Sequence, residues 1–175
     1  MKATGMVRRI DDLGRIVIPK EIRRTLRIRE NDPLEIFTDR EGEVILKKYS
    51  PIGDLREFAQ EYADSLNEST GHIVMVADRD EIIAVNGTSK KNTMGKRVTQ
   101  QLEDIMNSRQ SFTTNTANEN PPLEGFEFKS QVVAPIVNAG DILGAVIICS
   151  QEANMGELER KLCETAASFL AKQLE

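Results

Sequence analysis

Apolar positions in the first fifty residues fall into short runs separated by polar turns. Met6–Ile10 predicts a strand, and Asp11-Asp12-Leu13-Gly14 a turn in which Gly14 is free to take positive φ. Arg15–Ile18 predicts a second strand, β-branched at three successive positions. Pro19 cannot donate to a ladder and suits the first turn of a helix. Lys20–Leu26 predicts that short helix. Ile22 and Leu26, four apart, share one face and leave Arg23, Arg24 and Arg27 mainly on the others. Asn31-Asp32-Pro33 breaks the chain. Leu34–Thr38 and Val44–Lys48 predict a hairpin around Asp39-Arg40-Glu41-Gly42.

The periodicity changes at Ser50-Pro51-Ile52-Gly53, which marks a boundary between domains 1–50 and 51–175. Leu55, Phe58, Ala59, Tyr62, Ala63 and Leu66 have the spacing of an amphipathic helix. HIVMVAD and EIIAV predict two strands around Asp78-Arg79-Asp80. Residues 87–99 are polar and predict a loop, 98–107 a short helix, and SFTTNTANENPPLEGFEFKS a strand with a long loop. QVVAPIV and DILGAVIICS predict a hairpin turning at Asn138–Asp141. A last helix is expected from about Asn154, with Asn154 and Glu157 spaced as a capping box. Leu158, Leu162, Ala166, Phe169 and Leu170 form its apolar stripe, widened by Cys163 and Ala167, and pair it with the earlier helix.

The first domain is too small to bury a comfortable core alone, and it has no disulfide or metal ligands to staple it. The alternation in Met6–Ile10 is untidy, with Arg8 on the side of Met6 and Ile10. Both features point to strands whose faces are completed by a second copy of the chain.

Charge sharpens this picture. The 175 residues carry a net charge of −5, but residues 1–50 hold twelve Lys/Arg against nine Asp/Glu, and residues 51–175 hold eleven against nineteen. Within 8–29 there are seven arginines and one lysine. Arginine's planar fork suits phosphate oxygens and guanine edges, whereas lysine would serve solubility as well. The pattern points to nucleic acid as the partner of the first domain. The competing reading of each arginine is a surface ion pair, to Asp11, Asp12 or Glu21. For Arg27 and Arg29, with Glu30 and Asp32 close by, the ion pair is preferred.

Other chemistry finds little support. His72, the one histidine, precedes an apolar run and reads as a strand-start residue; no nucleophile motif surrounds it. Cys149 and Cys163 have no metal-ligand spacing and read as core thiols. No cofactor and no metal are expected. No apolar run approaches the ~18 residues of a membrane span, and MKATGMVRRI lacks the apolar core of a leader peptide. A cytoplasmic protein is the expectation.

The segment TGMVRRIDDLGRIVIPKEIRRTLRIRENDPLEIFTDREGEVILKKY resembles the AbrB-type swapped-hairpin DNA-binding domain through DDLGR, RIVIPKEIRRTL, LEIF and ILKKY. The resemblance implies a mostly β interleaved homodimer that grips double-stranded DNA through Arg8, Arg9, Arg15, Arg23 and Arg24. Lys2 fits the basic start of the pattern. The order of elements in 51–175, above all VVAPIV-NAGDILGAVIICS followed by a terminal helix, resembles the GAF domain. That implies an α+β sheet flanked by helices, acting as a small-molecule sensor or oligomerisation domain, whose pocket would be lined by the loop-rich stretch 87–128 with no residue singled out. The two domains in this order resemble a family of sporulation regulators. This implies a transcription regulator of late forespore genes, activator or repressor, nucleoid-associated and homotetrameric. Two alternatives stand beside it. An antitoxin would share the first domain but end in a flexible tail, and a GAF-type thiol reductase would use Cys149 or Cys163.

Overall fold

The computed structural model describes residues 4–174, and the chain divides into two units, Met1–Tyr49 and Ser50–Glu175. In the first unit, α1 spans Lys20–Thr25 directly after Pro19, whose φ of −55° suits a helix entry. Leu26 closes the helix, its N–H donating to Ile22 at 2.9 Å. The hairpin β1 (Leu34–Thr38) and β2 (Val44–Lys48) pairs in register, from Leu34 opposite Lys48 to Thr38 opposite Val44. Asp39 shapes its turn. One carboxylate oxygen accepts the N–H groups of Glu41 and Glu43 at 3.0 and 2.8 Å, and Gly42 takes φ +86°.

The strands expected at Met6–Ile10 and Arg15–Ile18 are not formed: neither segment joins a ladder in the single chain. A strand exists only against another edge, and among the described residues this unit's sheet is the two-stranded hairpin alone. Between them, residues 11–15 do form the expected turn.

The second unit is a five-stranded antiparallel sheet of order β4-β3-β7-β6-β5. Its strands are β3 (Ile73–Asp78), β4 (Ile82–Asn86), β5 (Phe112–Thr114), β6 (Ser130–Asn138) and β7 (Asp141–Ser150). The helices are α2 (Arg56–Thr70), α3 (Lys90–Thr93), α4 (Gln100–Ser108) and α5 (Glu157–Lys172). Both faces of the sheet are covered, which is why β3 is apolar almost throughout. Val74, Val76, Val132, Val146 and Ile148 pack under α2 and α5 through Ala59, Ala63, Cys163, Ala166 and Leu170. Met75, Val133, Ile147 and Cys149 face Leu102, Met106, Leu123 and Phe128 from α4 and the long loop. Gly144 lets β7 lie close against β3: a Cβ there would lie 2.0 Å from the Ala77 carbonyl oxygen.

The ends of the helices follow local chemistry. Ser50 Oγ accepts the Gly53 N–H at 3.2 Å to open the 3-10 turn Pro51–Leu55 that leads into α2. Gly71, at φ +71°, ends α2. Thr99 Oγ1 accepts the Leu102 N–H at 3.2 Å and caps α4. The cap of α5 lies two residues later than the spacing of Asn154 and Glu157 suggests. The Gly156 N–H donates to Glu159 at 2.8 Å, because Met155 is buried and its N–H is taken by Asn115 at 2.7 Å. The stripe of α5 is rotated as well. Cys163, Ala166, Ala167, Leu170 and Ala171 are buried, whereas Leu158 and Phe169 are exposed. α3 replaces part of the loop expected over residues 87–99.

Candidate nucleic-acid interface

Arg8, Arg9, Arg15, Arg23 and Arg24 are all exposed, in the segment before the 11–15 turn, in that turn and on α1. Arg23 and Arg24 occupy the last turn of α1, the end of the helix that favours positive charge. Arg8 Nη1 donates to the Val7 carbonyl at 3.0 Å. Among the described residues, Arg8, Arg9, Arg23 and Arg24 have no carboxylate partner. Four guanidiniums are therefore available to an external anion. Arg15 differs: its Nε donates to Asp11 Oδ2 at 2.7 Å, the ion pair that the competing reading allowed. That contact and the turn's backbone N–H groups hold the Asp11 carboxyl below its ordinary range, the Arg15 N–H first among the causes. Arg27 and Arg29 are half-buried, and neither is without a partner. Asp32 lies 3.8 Å from Lys48 Nζ and accepts the Arg29 backbone N–H at 2.8 Å. Lys2 lies outside the described residues.

Beside these cations the apolar side chains have no core to enter. Val7, Ile10, Leu13 and Val17 are 84, 65, 70 and 72% exposed, and Ile36 and Val44 on the hairpin are 66 and 67%. Among the described residues of this unit, Pro19 alone is buried. A soluble monomer scatters single apolar residues over its surface but does not leave a whole unit without an interior.

In the second unit the candidate reactive groups are inert in their setting. Cys149 and Cys163 are fully buried, and desolvation pushes both thiols far above their ordinary range. Cys163 donates to the Val146 carbonyl at 3.1 Å, a packing contact. His72 immediately precedes β3, and its Nε2 lies 3.8 Å from Glu159 Oε1. Its ring thus faces a carboxylate at the start of α5, not a serine or cysteine. No helix among the described residues is long and apolar enough to cross a membrane.

The sequence spacing did not show two features. One is the set of three hydrogen bonds gathered by Asp11, for which an Asx turn two residues ahead of Leu13 was the available signal. The other is which residues line a polar cleft of about 410 Å³ in the second unit, between the start of α3 and residues 123–127, mostly within the stretch 87–128 where a pocket was expected. It is assembled from segments far apart in the chain.

The family described as "Stage V sporulation protein T C-terminal, transcription factor" matches residues 54–175. That described as "Antidote-toxin recognition MazE, bacterial antitoxin" matches residues 7–54. Stage V sporulation protein T of Bacillus subtilis (strain 168) is 58% identical over 177 aligned residues, covering 100% of this chain and 99% of that protein. The transition state regulatory protein AbrB of the same organism is 46% identical over 83 residues, 47% of this chain and 85% of its own length. Among solved structures, the GAF domain of an Acinetobacter phosphoenolpyruvate-protein phosphotransferase aligns with a TM-score of 0.59. It is 8% identical and covers 69% of this chain and 81% of its own, so it shares the fold alone.

Proposed function

This chain belongs to the stage V sporulation protein T family, and from that premise we propose that it is a DNA-binding transcription regulator of sporulation. One observation carries the reading. In a chain with net charge −5, exposed arginines cluster on a small unit whose apolar residues are exposed with them. Residues 1–50 act as the DNA-binding domain and residues 51–175 as the domain that assembles the protein and senses a small molecule. The apolar side chains of residues 6–18 and of the hairpin are the surface on which a second copy interleaves. The two-fold dimer duplicates Arg8, Arg9, Arg15, Arg23 and Arg24 on double-stranded DNA. Phosphate contacts supply affinity, and a minority of contacts to base edges or groove shape supply choice.

The second unit offers support for both of its roles. Phe58 and Phe169 are 48 and 38% exposed, and Tyr62 packs against Phe169 with the rings tilted and their centroids 5.1 Å apart. This apolar face along α2 and α5 suits a further pairing that makes a tetramer. The polar cleft is where a small molecule would fit. Thr93 lines it, is 2% exposed, and makes no side-chain hydrogen bond among the described residues. Ligand binding there would shift the placement of the DNA-binding dimers. A thermal-shift screen with small polar metabolites that finds no ligand would leave this unit with assembly alone.

The alternatives fare worse. An antitoxin of the expected kind would end in a flexible tail, and residues 51–175 instead hold a five-stranded sheet with two apolar layers. A thiol reductase needs an accessible thiolate, and neither cysteine supplies one. A regulator of this kind works on the nucleoid, in the cytoplasm of the forespore.

The test is fluorescence anisotropy on duplex DNA with Arg8, Arg15, Arg23 and Arg24 replaced by alanine one at a time, with circular dichroism as the control for fold. Weaker binding with an unchanged spectrum is expected. Wild-type affinity in all four variants would remove the assigned surface.

A further inference from the structure

Asp11 organises the turn that carries Arg15. Its Oδ1 accepts the backbone N–H groups of Leu13 and Arg15 at 3.0 and 2.7 Å, and its Oδ2 accepts Arg15 Nε at 2.7 Å. The backbone closes the same turn. The Asp11 N–H donates to the Arg15 carbonyl at 3.1 Å, and the Gly14 N–H to the Asp11 carbonyl at 3.0 Å. Gly14 takes φ +75°, which a residue with a side chain would adopt only with strain. One exposed carboxylate thus sets both the shape of the turn and the direction of one guanidinium.

That arrangement is odd for a phosphate contact. A carboxylate placed on a surface that meets DNA repels phosphates, and at 2.7 Å it offsets the charge of the very arginine it holds. Arg8, Arg9, Arg23 and Arg24 carry no such partner among the described residues. A guanidinium, however, has more than one donor edge. Asp11 occupies Nε, and the two terminal amino groups of Arg15 have no partner among the described residues. Those two groups form the planar fork that matches O6 and N7 of guanine in the major groove. Holding Nε also removes much of the side-chain freedom that a base contact would otherwise have to freeze out.

We propose that Asp11 is a positioning residue that turns Arg15 from a phosphate contact into a base-edge donor, so that sequence discrimination originates at this pair. The inference rests on the DNA-binding reading of the first unit. It divides the labour there: Arg23 and Arg24 give affinity, and Arg15, aimed by Asp11, gives choice. The carboxylate also has a second effect. By cancelling one positive charge per copy it holds down binding to arbitrary DNA, which widens the margin between the right sequence and the rest.

The test uses the full-length protein and a library of random duplexes, selected by binding and sequenced. Wild type is compared with Asp11→Asn, Arg15→Ala and Arg15→Lys. Asparagine keeps an oxygen that can accept the Leu13 and Arg15 N–H groups, so the turn survives while the charge is lost. The wild type is expected to enrich a motif containing guanine. Asp11→Asn should bind the unselected pool about threefold to tenfold more tightly near 0.1 M salt, with a steeper salt slope by about one or two cations per dimer. It should also lose information at the guanine position. Arg15→Ala and Arg15→Lys should lose that same position, lysine because it keeps the charge and lacks the fork. A purely structural Asp11 would instead weaken selected and unselected duplexes alike. That result, or an unchanged ratio between them, overturns the inference and leaves the DNA-binding reading standing. No binding of any duplex by the wild type overturns both.

Discussion

Replacing Val17 with aspartate separates the two states in which the first unit could exist. In the single chain Val17 is 72% exposed. Were that the working form, the change would be an ordinary surface substitution, worth about 0.5 kcal/mol at most. Were Val17 enclosed by a second copy, each chain would forfeit about 1.5–2 kcal/mol of apolar burial. Each would also have to bury a carboxylate with no assigned partner, at a further cost of several kcal/mol. Two-fold symmetry doubles the loss. Burial alone then removes about 3 kcal/mol per dimer, or about a hundredfold in the association constant, and the charge adds to it. Sedimentation velocity and hydrogen exchange on the full chain read the outcome. The variant should drop from tetramer to dimer, keeping only the association made by the second unit. Amides of residues 34–48 should lose protection, while those of 73–86 and 130–150 keep theirs. Unchanged sedimentation and unchanged protection of the hairpin would refute the interleaved dimer.

The second unit yields two further tests. Gly144→Ala places a methyl 2.0 Å from the Ala77 carbonyl oxygen, so β3 and β7 must part; a loss of about 3 kcal/mol or more in urea unfolding is expected, and a near-neutral result would contradict this close packing of the two strands. Glu159 is held below its ordinary range, chiefly by the Gly156 N–H and less by His72. Its contribution is present above the unfolded value of about 4.3 and is lost as pH falls through the folded one. Glu159→Gln keeps an acceptor for Gly156 but cannot titrate, so its urea midpoint should decline less steeply than the wild type's below about pH 4.3; parallel curves would contradict the assignment.

What could be read from the sequence alone followed the range of the forces involved. The hairpin of β1 and β2 was legible because its apolar runs and its Asp39–Gly42 turn are neighbours in the chain. The strands β3, β4, β6 and β7 were legible because each is a dense apolar run. The segments 6–10 and 15–18 have the composition of strands, yet neither joins a ladder among the described residues. The untidy alternation of Met6–Ile10 and the small size of the unit were the signs that local composition would not suffice there. α3 escaped notice because KKNT carries no apolar period, and it is placed by β4 and the buried Thr93. The start of α5 was misplaced because Asn154 and Glu157 have the right spacing, but tertiary contacts of Met155 push the helix entry to Gly156. The arginines stood out by charge. The difference between Arg15 and the rest depends on which oxygen of Asp11 faces which nitrogen, and spacing does not encode that.

The central claim is that the exposed arginines of a dimeric first unit grip DNA through phosphates, and salt dependence tests it most directly. Anisotropy titrations of a generic duplex over a range of salt would compare the wild type with the double variant Arg23→Ala/Arg24→Ala. A dimer loses four guanidiniums in that variant, so the slope of log affinity against log salt should shrink by about 3 to 4. A slope unchanged by the double substitution, or no binding by the wild type at any salt, would contradict the account.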